Sequence, residues 1–335
     1  MIKNRIIFFL LIVTKVLVAQ DVHFSQYYFS PLSMNPAYTG NFKGDYRLFA
    51  NYRSQWRALD KGYDTYSAGG DMNFFPKNFN LAAGLIILSD RSAQYLNVTK
   101  ILPSFAVHRK IAGFKLHAGI QPGVVIKTFD FYKHSYPNQL NWDVGAFDKN
   151  LPNNESNISQ NFTYFDLNAG AAVSRKFGKI EPELGFALFH INHPKESFFA
   201  GGTNKLPLRQ AYNMAINIDV TRLVIVRLHS LYGYTTKTSD WVSGLNLEYV
   251  LSRDAFYTNS VFAGVMWRDG FNRNFDAAII TAGFNYKSYT IGFSYDITRS
   301  QLKTSVDSKG AYEIAIIYRA KNTRLSRKIV PCERF

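Results

Sequence analysis

Apolar and polar side chains alternate along most of this chain after residue 44, in segments that end at turns. Residues 114–121 show the pattern, with apolar side chains at every second position and Lys115, His117 and Gln121 between them. In the last segment Tyr312 and Ile314 flank Glu313, which is therefore predicted to point to the opposite face. A period of two predicts β-strands whose two faces meet different surroundings. Soluble sandwiches share this pattern, so alternation alone does not decide the fold class.

The alternating segments number about fourteen, and an even number fits a bacterial single-chain transmembrane barrel. Their predicted bounds are 44–57, 63–75, 80–91, 94–110, 113–128, 162–176, 179–190, 209–220, 223–235, 239–251, 255–268, 275–287, 289–298 and 310–319. Neighbouring strands would be antiparallel because most connections are too short for a crossover.

The connections between these segments alternate in length. The longest, 129–161, 191–208 and 300–309, follow odd-numbered strands, whereas the turns at Lys77-Asn78 and at Gly178 follow even-numbered strands. Outer-membrane barrels have short periplasmic turns and longer extracellular loops. We therefore expect both termini of the mature chain on the periplasmic side.

The N-terminus has the pattern of a secretory leader. Lys3 and Arg5 precede an apolar stretch, and Ala19 is a plausible last residue before cleavage, so residues 1–19 are predicted to be a signal peptide. No later stretch approaches the roughly 20 apolar residues that a transmembrane helix needs. The chain is 16% aromatic and has a mean hydropathy of −0.15, which fits a barrel that hides every second residue in lipid. The sequence thus predicts an all-β fold, a transmembrane antiparallel β-barrel of the outer-membrane type, over residues 44–319.

The formal net charge of +15 narrows the possible partners. A basic surface can bind nucleic acid, but an exported protein does not meet it, so we expect no nucleic-acid partner. The cations would line the lumen, contact the phosphates of outer-membrane lipid or bind an acidic partner.

Signatures of enzymes and cofactors are weak. Cys332 is the only cysteine, which excludes an internal disulfide and a thiolate metal cluster. Of the seven histidines only His190 and His193 are close in sequence, and Pro194 argues against the helix that such a pair of metal ligands needs. No phosphate-binding or dinucleotide-binding motif occurs. We predict no catalytic site, no metal and no cofactor.

Polar side chains that the alternation points into the lumen have two possible roles. They form a neutralised network that fills the bore, or they line a water-filled path. The predicted lumen-facing polar residues are Arg47, Asn51, Arg53, Lys115, His117 and Gln121.

Both ends of the mature chain lie outside the strand pattern. Residues 20–43 contain Ser30-Pro31 and Asn35-Pro36, which favour extended or turn geometry over helix. They are too aromatic for a solvated linker. This segment is predicted to fill the lumen as a plug or to bind a partner. The residues expected to do so are His23, Phe24, Ser25, Gln26, Tyr27, Tyr28, Phe29, Pro31, Asn35, Pro36 and Tyr38. Residues 320–335 are polar and basic, and we predict that this tail lies in the periplasm.

Four stretches of the sequence carry a resemblance to a known family. Residues 20–31 (QDVHFSQYYFSP), 35–40 (NPAYTG), 51–56 (NYRSQW) and 292–302 (GFSYDITRSQL) resemble the PorP/SprF family of the type IX secretion system in Bacteroidota. The resemblance implies an outer-membrane barrel without enzymatic activity. It also implies a protein partner, which is either a secreted adhesin, as in gliding motility, or the secretion apparatus itself. The C-terminal residues 331–335 (PCERF) depart from the family's ending, which leaves any role of Cys332 open.

The leading functional prediction is a non-enzymatic barrel that binds a partner protein and supports secretion or surface retention of an adhesin-like cargo, or the apparatus itself. The alternative is a passive porin or small-molecule transporter. Conductance separates the two, because a porin conducts and a plugged barrel does not.

Overall fold

A computed structural model of the chain describes residues 24–57, 62–74, 80–92, 95–130, 135–148, 150–152, 159–199, 201–236, 238–253, 257–270, 274–299 and 309–320. For Gly270, Asn274 and Lys309 it describes the backbone alone. The predicted signal peptide, the predicted turn at Lys77-Asn78, and the tail after Ala320 lie outside the described residues.

Fourteen antiparallel strands form a closed barrel, as the alternation predicts, and a short two-stranded hairpin lies in the longest connection. The observed strand bounds differ from the predicted ones by at most three residues. The barrel strands are β1 Tyr46–Gln55, β2 Tyr63–Phe74, β3 Asn80–Ser92, β4 Leu96–Ile111, β5 Phe114–Phe129, β8 Asn161–Ser174, β9 Ile180–Phe189, β10 Arg209–Asp219, β11 Val224–Tyr234, β12 Ser239–Arg253, β13 Thr258–Gly270, β14 Asn274–Tyr286, β15 Tyr289–Thr298 and β16 Lys309–Arg319; the hairpin is β6 Leu140–Asn141 and β7 Ala146–Phe147.

Pairing between the first and last strands closes the sheet. In β1 and β16, Arg53 is opposite Glu313 and Tyr52 is opposite Ile314. Closure leaves no open sheet edge, and a strand that crosses hydrocarbon needs this because lipid offers its backbone no hydrogen-bond partner. The helices in the described part of the chain are all too short or too polar to cross a membrane.

The two faces of the wall differ as the period of two predicts. In β8 the side chain of Phe165 is 52% exposed on the outer face, whereas Asp166 and Asn168 are 2% exposed and point inward. Outward tyrosine rings meet at one end of the barrel, where the ring of Tyr318 lies 6.0 Å from that of Tyr46 and 5.1 Å from that of Tyr289. Such rings are typical of the interfacial girdles of outer-membrane barrels.

The two ends of the barrel differ in their connections. At one end β4 joins β5 through Ala112 and Gly113, and β14 joins β15 through Lys287 and Ser288. The other end holds the long connections between β5 and β8 and between β9 and β10. We call these the short-turn end and the long-loop end. β1 begins and β16 ends at the short-turn end.

The outward faces predict a depth-dependent cost for a charge. Leu247, in the middle of β12, is 54% exposed, and Leu251, near the short-turn end of the same strand, is 62% exposed. We expect Leu247→Arg to lower the free energy of unfolding by about 2–4 kcal/mol and Leu251→Arg by about 0–1 kcal/mol, because arginine near the interface can reach water. Urea titration of the barrel in lipid vesicles, followed by tryptophan fluorescence, measures both. Equal losses at the two positions would contradict this placement in the membrane.

Candidate functional site

The described residues before β1 lie inside the barrel, and we call residues 24–45 the lumen segment. Ser25 contacts side chains near the long-loop ends of β1, β13, β15 and β16. At the short-turn end, Asp45 donates its backbone N–H to the carbonyl of Ala320 at 3.4 Å. The segment therefore extends along the lumen from the long-loop end to the short-turn end.

The residues predicted to form a plug or a partner-binding segment occupy this lumen segment. His23 lies outside the described residues, and Tyr28 is partly buried. The buried members of the set are Phe24, Ser25, Gln26, Tyr27, Phe29, Pro31, Asn35, Pro36 and Tyr38.

Three short helical turns fold the lumen segment. They are a 3-10 turn at Tyr27–Phe29, an α-helical turn at Pro31–Met34 and a 3-10 turn at Pro36–Tyr38. Proline suits the first position of the second and third turns because a helix leaves that N–H unbonded. The side chain of Asn35 accepts a hydrogen bond from the N–H of Ala37 at 2.9 Å, which caps the third turn. The two Xaa-Pro pairs begin single helical turns, one of them α-helical, whereas the sequence favours extended or turn geometry over helix.

Two guanidinium groups and two carboxylates meet in the lumen near the long-loop end. We call Arg53, Arg268, Asp296 and Glu313 the charge cluster. Asp296 Oδ2 lies 3.0 Å from Arg53 Nη2 and 2.8 Å from Arg268 Nη1, and Arg53 also pairs with Glu313. All four side chains are 6% exposed or less. Because a buried charge is tolerated only when it is paired and hydrogen-bonded, these four groups depend on one another.

The charge cluster holds the beginning of the lumen segment. Glu313 accepts hydrogen bonds from the backbone N–H groups of Ser25, at 2.6 Å, and of Gln26, at 2.9 Å. The Ser25 hydroxyl donates to Asp296 at 2.9 Å and accepts from Arg53 at 2.7 Å. Hydrogen bonds to ionised groups are stronger than neutral ones. These contacts fix the first described residues of the segment against three strands of the wall, β1, β15 and β16.

Aromatic packing holds the middle of the lumen segment. The ring of Tyr28 stacks on the imidazole of His229 with centroids 4.6 Å apart, and its hydroxyl accepts a hydrogen bond from Asn246 at 3.1 Å. Phe29 is 2% exposed, and its ring centroid lies 6.4 Å from that of Phe262. Burial of one large apolar side chain stabilises by roughly 1.5–3 kcal/mol, so these rings stabilise the segment in the lumen.

Inward polar side chains satisfy backbone carbonyls of the lumen segment. Gln121 donates to the carbonyl of Leu32 at 2.9 Å. Arg47 donates to the carbonyl of Tyr38 at 3.1 Å and is held by Asp71 at 2.6 Å. Since buried backbone groups need partners, the polar lining and the segment complete each other's hydrogen bonding.

The other predicted lumen-facing residues have different surroundings. Asn51 is buried and donates to the carbonyl of Phe29 in the segment at 3.5 Å and to the hydroxyl of Ser67 on β2 at 3.1 Å. The ring nitrogens of His117 and His108 lie 2.7 Å apart, and His108 also contacts the segment's backbone. Lys115 pairs with Glu181 at 2.8 Å and remains half exposed. The structure therefore brings Arg47, Asn51, Arg53 and Gln121 into contact with the segment. His117 is linked to the segment through His108, and Lys115 lies apart from it near the short-turn end.

Glycines in the wall make room for the segment. A Cβ atom on Gly170 would lie 2.0 Å from Asn35 Oδ1, and one on Gly119 would lie 2.3 Å from the carbonyl oxygen of Pro36. The Asn35 amide donates to the carbonyl of Ala171 at 3.3 Å. The segment thus approaches the wall so closely here that no inward side chain fits.

Three cavities lie between the lumen segment and the wall toward the short-turn end. Their volumes are about 600, 680 and 350 Å³. Lys43 and Arg227 line all three, and Phe42 lies between the first two. This space is open to solvent beyond the turns that join the strands.

Several residues of the site do not follow from the sequence analysis. Asp71, Arg268 and Asp296 contact the segment or its partners, and the alternation marks them as inward-facing without showing what they bind. No group of three or more His, Cys, Asp or Glu among the described residues is arranged to hold a metal ion. His190 pairs with Asp166 at 2.8 Å instead of with His193.

The charge cluster predicts a large stability difference between two identical substitutions. Asp296→Asn removes the carboxylate shared by Arg53 and Arg268, and we expect it to lower the free energy of unfolding by about 3–5 kcal/mol. Asp219→Asn breaks a solvent-exposed pair with Lys176, 3.1 Å apart, and should cost about 0–1 kcal/mol. Urea titration measures both variants. A loss at Asp296 no larger than that at Asp219 would show that the cluster does not stabilise the barrel.

Because Asn35 packs directly on Gly170, a larger side chain at position 170 is expected to displace the segment from the lumen. Gly170→Val places a side chain where Asn35 lies, so the segment should leave the lumen and become accessible to chymotrypsin, which cleaves after aromatic residues. Ala171→Val, on the outer face of the same strand, is the control and should stay resistant. Cleavage within residues 24–38 is followed by mass spectrometry. Resistance of Gly170→Val equal to that of the wild type would contradict the packing of the segment on β8.

Comparisons with solved structures agree with the fold. A toluene transporter of Ralstonia pickettii, TbuX, is 9% identical, with a TM-score of 0.50 over 88% of this chain and 93% of the other. A FadL homologue of Pseudomonas aeruginosa is 10% identical, with a TM-score of 0.50 over 85% and 92%. At such low identity these likenesses show the fold alone.

Sequence comparisons address the family. A search of curated proteins found no match. The family model described as type IX secretion system membrane protein PorP/SprF matches residues 16–318, which include the lumen segment and almost all of the barrel. The resemblance of the N-terminal and closing stretches is thereby confirmed over most of the chain. This outer-membrane barrel belongs to the PorP/SprF family of type IX secretion system membrane proteins.

Proposed function

We propose that this protein is a non-enzymatic barrel that binds a protein partner of the type IX secretion system. Through that partner it supports either secretion or surface retention of an adhesin-like cargo, or the secretion apparatus itself. The family match supports a role in this system. The observation that carries the proposal is the lumen segment, which occupies the bore with buried aromatic and charged contacts. Because the segment fills the bore, the barrel suits the binding of a protein partner better than the passive flow of solutes.

The proposed orientation follows the connections. Outer-membrane barrels have their short turns in the periplasm, so the short-turn end faces the periplasm and the long loops face outward. Under this orientation the basic tail of residues 320–335 begins at Ala320 in the periplasm. Residues 1–19 act as the signal peptide. Ser25, near the start of the described chain, contacts strand residues near the long-loop end; the periplasmic location of the N-terminus of the mature chain stays a prediction.

The lumen segment has two roles under this proposal. It closes the bore in the resting protein, and it rearranges when the partner binds. A partner that binds the rearranged form more tightly shifts the population toward that form. The segment's many contacts to the wall make the closed form the resting one.

A passive transporter is the alternative function. Similar structures include a toluene transporter and a monoaromatic hydrocarbon channel. That activity belongs to those proteins, each of which is 9% identical to this chain. Single-channel conductance in planar bilayers discriminates the two functions, since the wild type should not conduct if the segment closes the bore.

Removal of the segment's anchored beginning tests the proposed function. We expect deletion of residues 24–30 to leave an assembled barrel. Assembly is recognised on gel electrophoresis because the unheated, folded barrel migrates faster than the heated, unfolded chain. The deletion should open a conductance and stop secretion of the partner, because it removes the contacts to the charge cluster and the stacked rings. Partner secretion is measured by mass spectrometry of the culture medium and cell surface.

The control deletion removes residues 140–146, an equal length from the hairpin in the longest connection, and should leave the bore closed. A segment deletion that folds, does not conduct and secretes all cargo normally would overturn the proposed role of the segment. A wild-type barrel that conducts would favour the transporter.

A further inference from the structure

The largest of the three cavities is lined by an excess of cations. It has a volume of about 680 Å³ at the short-turn end, between the lumen segment and strands β11 to β16. Its charged lining consists of Lys43, Arg47, Arg227, Lys287 and Arg319 against the single carboxylate of Glu248. We call these five cations and the cavity they line the basic vestibule.

Three cations of the basic vestibule have no carboxylate partner. Arg47 pairs with Asp71 and Arg227 pairs with Glu248 at 2.5 Å. Within the part of the chain that the structure describes, Lys43, Lys287 and Arg319 make no ion pair. The five cations therefore outnumber the carboxylates that pair with them, in contrast to the charge cluster at the other end of the lumen.

The strand register places two like charges side by side in this cavity. Arg47 on β1 and Arg319 on β16 are directly opposite in the closing pair of strands. Like charges directly opposite each other destabilise a sheet. The Arg227 Nε atom is buried and has no hydrogen-bond partner among the described residues. An incoming anion would relieve the repulsion and satisfy the free donors.

The shape and lining of the basic vestibule indicate what kind of anion fits. Tyr28, Phe29, Phe262 and Ile317 supply apolar surface beside the cations. Strands β11 to β16 and β1 pair continuously around the cavity, so entry is through the short-turn end and not from the lipid. The chain's own tail is a poor occupant because residues 321–335 carry five cations and one acid, Glu333. The occupant therefore needs negative charge for the cations, apolar groups for the rings, and solubility in water to enter at the short-turn end. A polypeptide with both carboxylates and apolar side chains meets these three conditions.

We propose that the basic vestibule binds an acidic segment of a partner polypeptide. The carboxylates of that segment pair with Lys43, Lys287 and Arg319, and its apolar side chains pack on Tyr28 and Phe262. This inference rests on the proposed function, because it names the chemistry of the partner's docking segment. Binding there contacts the lumen segment directly at Tyr28.

Binding of a defined peptide tests the vestibule. The probe is a short dye-labelled peptide in which glutamate alternates with serine around one tryptophan, and its match replaces every glutamate with glutamine. We expect the purified full-length barrel to bind the glutamate peptide by fluorescence anisotropy, and added salt to weaken the binding. The glutamine peptide should not bind.

Charge-removing variants locate the site. Lys43→Gln/Arg319→Gln should raise the dissociation constant of the glutamate peptide about tenfold, since two charge-assisted hydrogen bonds are lost. The control Arg91→Gln/Lys195→Gln removes two exposed cations nearer the long-loop end and should bind like the wild type. If Arg319→Gln impairs assembly, Lys43→Gln/Lys287→Gln tests the same site at exposed positions.

Three results would overturn the inference. They are equal binding by the vestibule variant and the control, equal binding of the glutamine peptide, and binding of inorganic phosphate without binding of the glutamate peptide. Partner secretion distinguishes this inference from the proposed function. If the barrel does not bind the glutamate peptide but the partner is secreted normally, the vestibule inference fails and the proposed function stands. If the barrel binds the peptide but deletion of the whole barrel changes the secretion of no protein, the proposed function alone fails.

Discussion

Closure of the sheet is the constraint on which the rest of the structure depends. Hydrocarbon offers no hydrogen-bond partner to a backbone amide, so the wall must satisfy its own polar groups around a complete ring. Pairing of β1 with β16 completes that ring. The same pairing sets Arg53 opposite Glu313 and brings both to the first described residues of the lumen segment. The contact that seals the wall therefore also assembles the anchor of the segment.

A closed wall of alternating side chains creates a polar lumen. Buried polar groups cost free energy unless they find partners. The lumen segment supplies such partners through backbone groups, with Ser25 and Gln26 donating to a carboxylate and Leu32 accepting from Gln121. Its aromatic rings fill the space that the polar contacts leave. Segment and wall are thus one folded unit in which each satisfies the other.

Charge is distributed unevenly along the lumen. Near the long-loop end, guanidinium and carboxylate groups balance around Ser25. Near the short-turn end, Lys43 and Arg319 line open space without a carboxylate partner among the described residues. Equal numbers of cations and carboxylates stabilise a closed bore, whereas an excess of cations favours the binding of an anionic ligand.

The sequence by itself determined the strands, their faces and the family. Alternation fixes which side chains point inward because successive side chains of a strand point to opposite faces, so Arg53 and Glu313 could be predicted to line the lumen. The aromatic content of residues 20–43 indicated burial for a similar reason, since exposed rings are unfavourable. Turn length distinguished the two ends of the barrel.

Only the tertiary structure decided which inward residues meet. Ser25 contacts Asp296, a residue 271 positions away in sequence, because closure brings the last strands back to the first. Lys115 shares its inward prediction with Gln121, yet it pairs with Glu181 near the short-turn end while Gln121 reaches the segment. The face of a residue follows from a local period, but its height and its partner depend on register and closure, which are set by contacts between strands far apart in sequence.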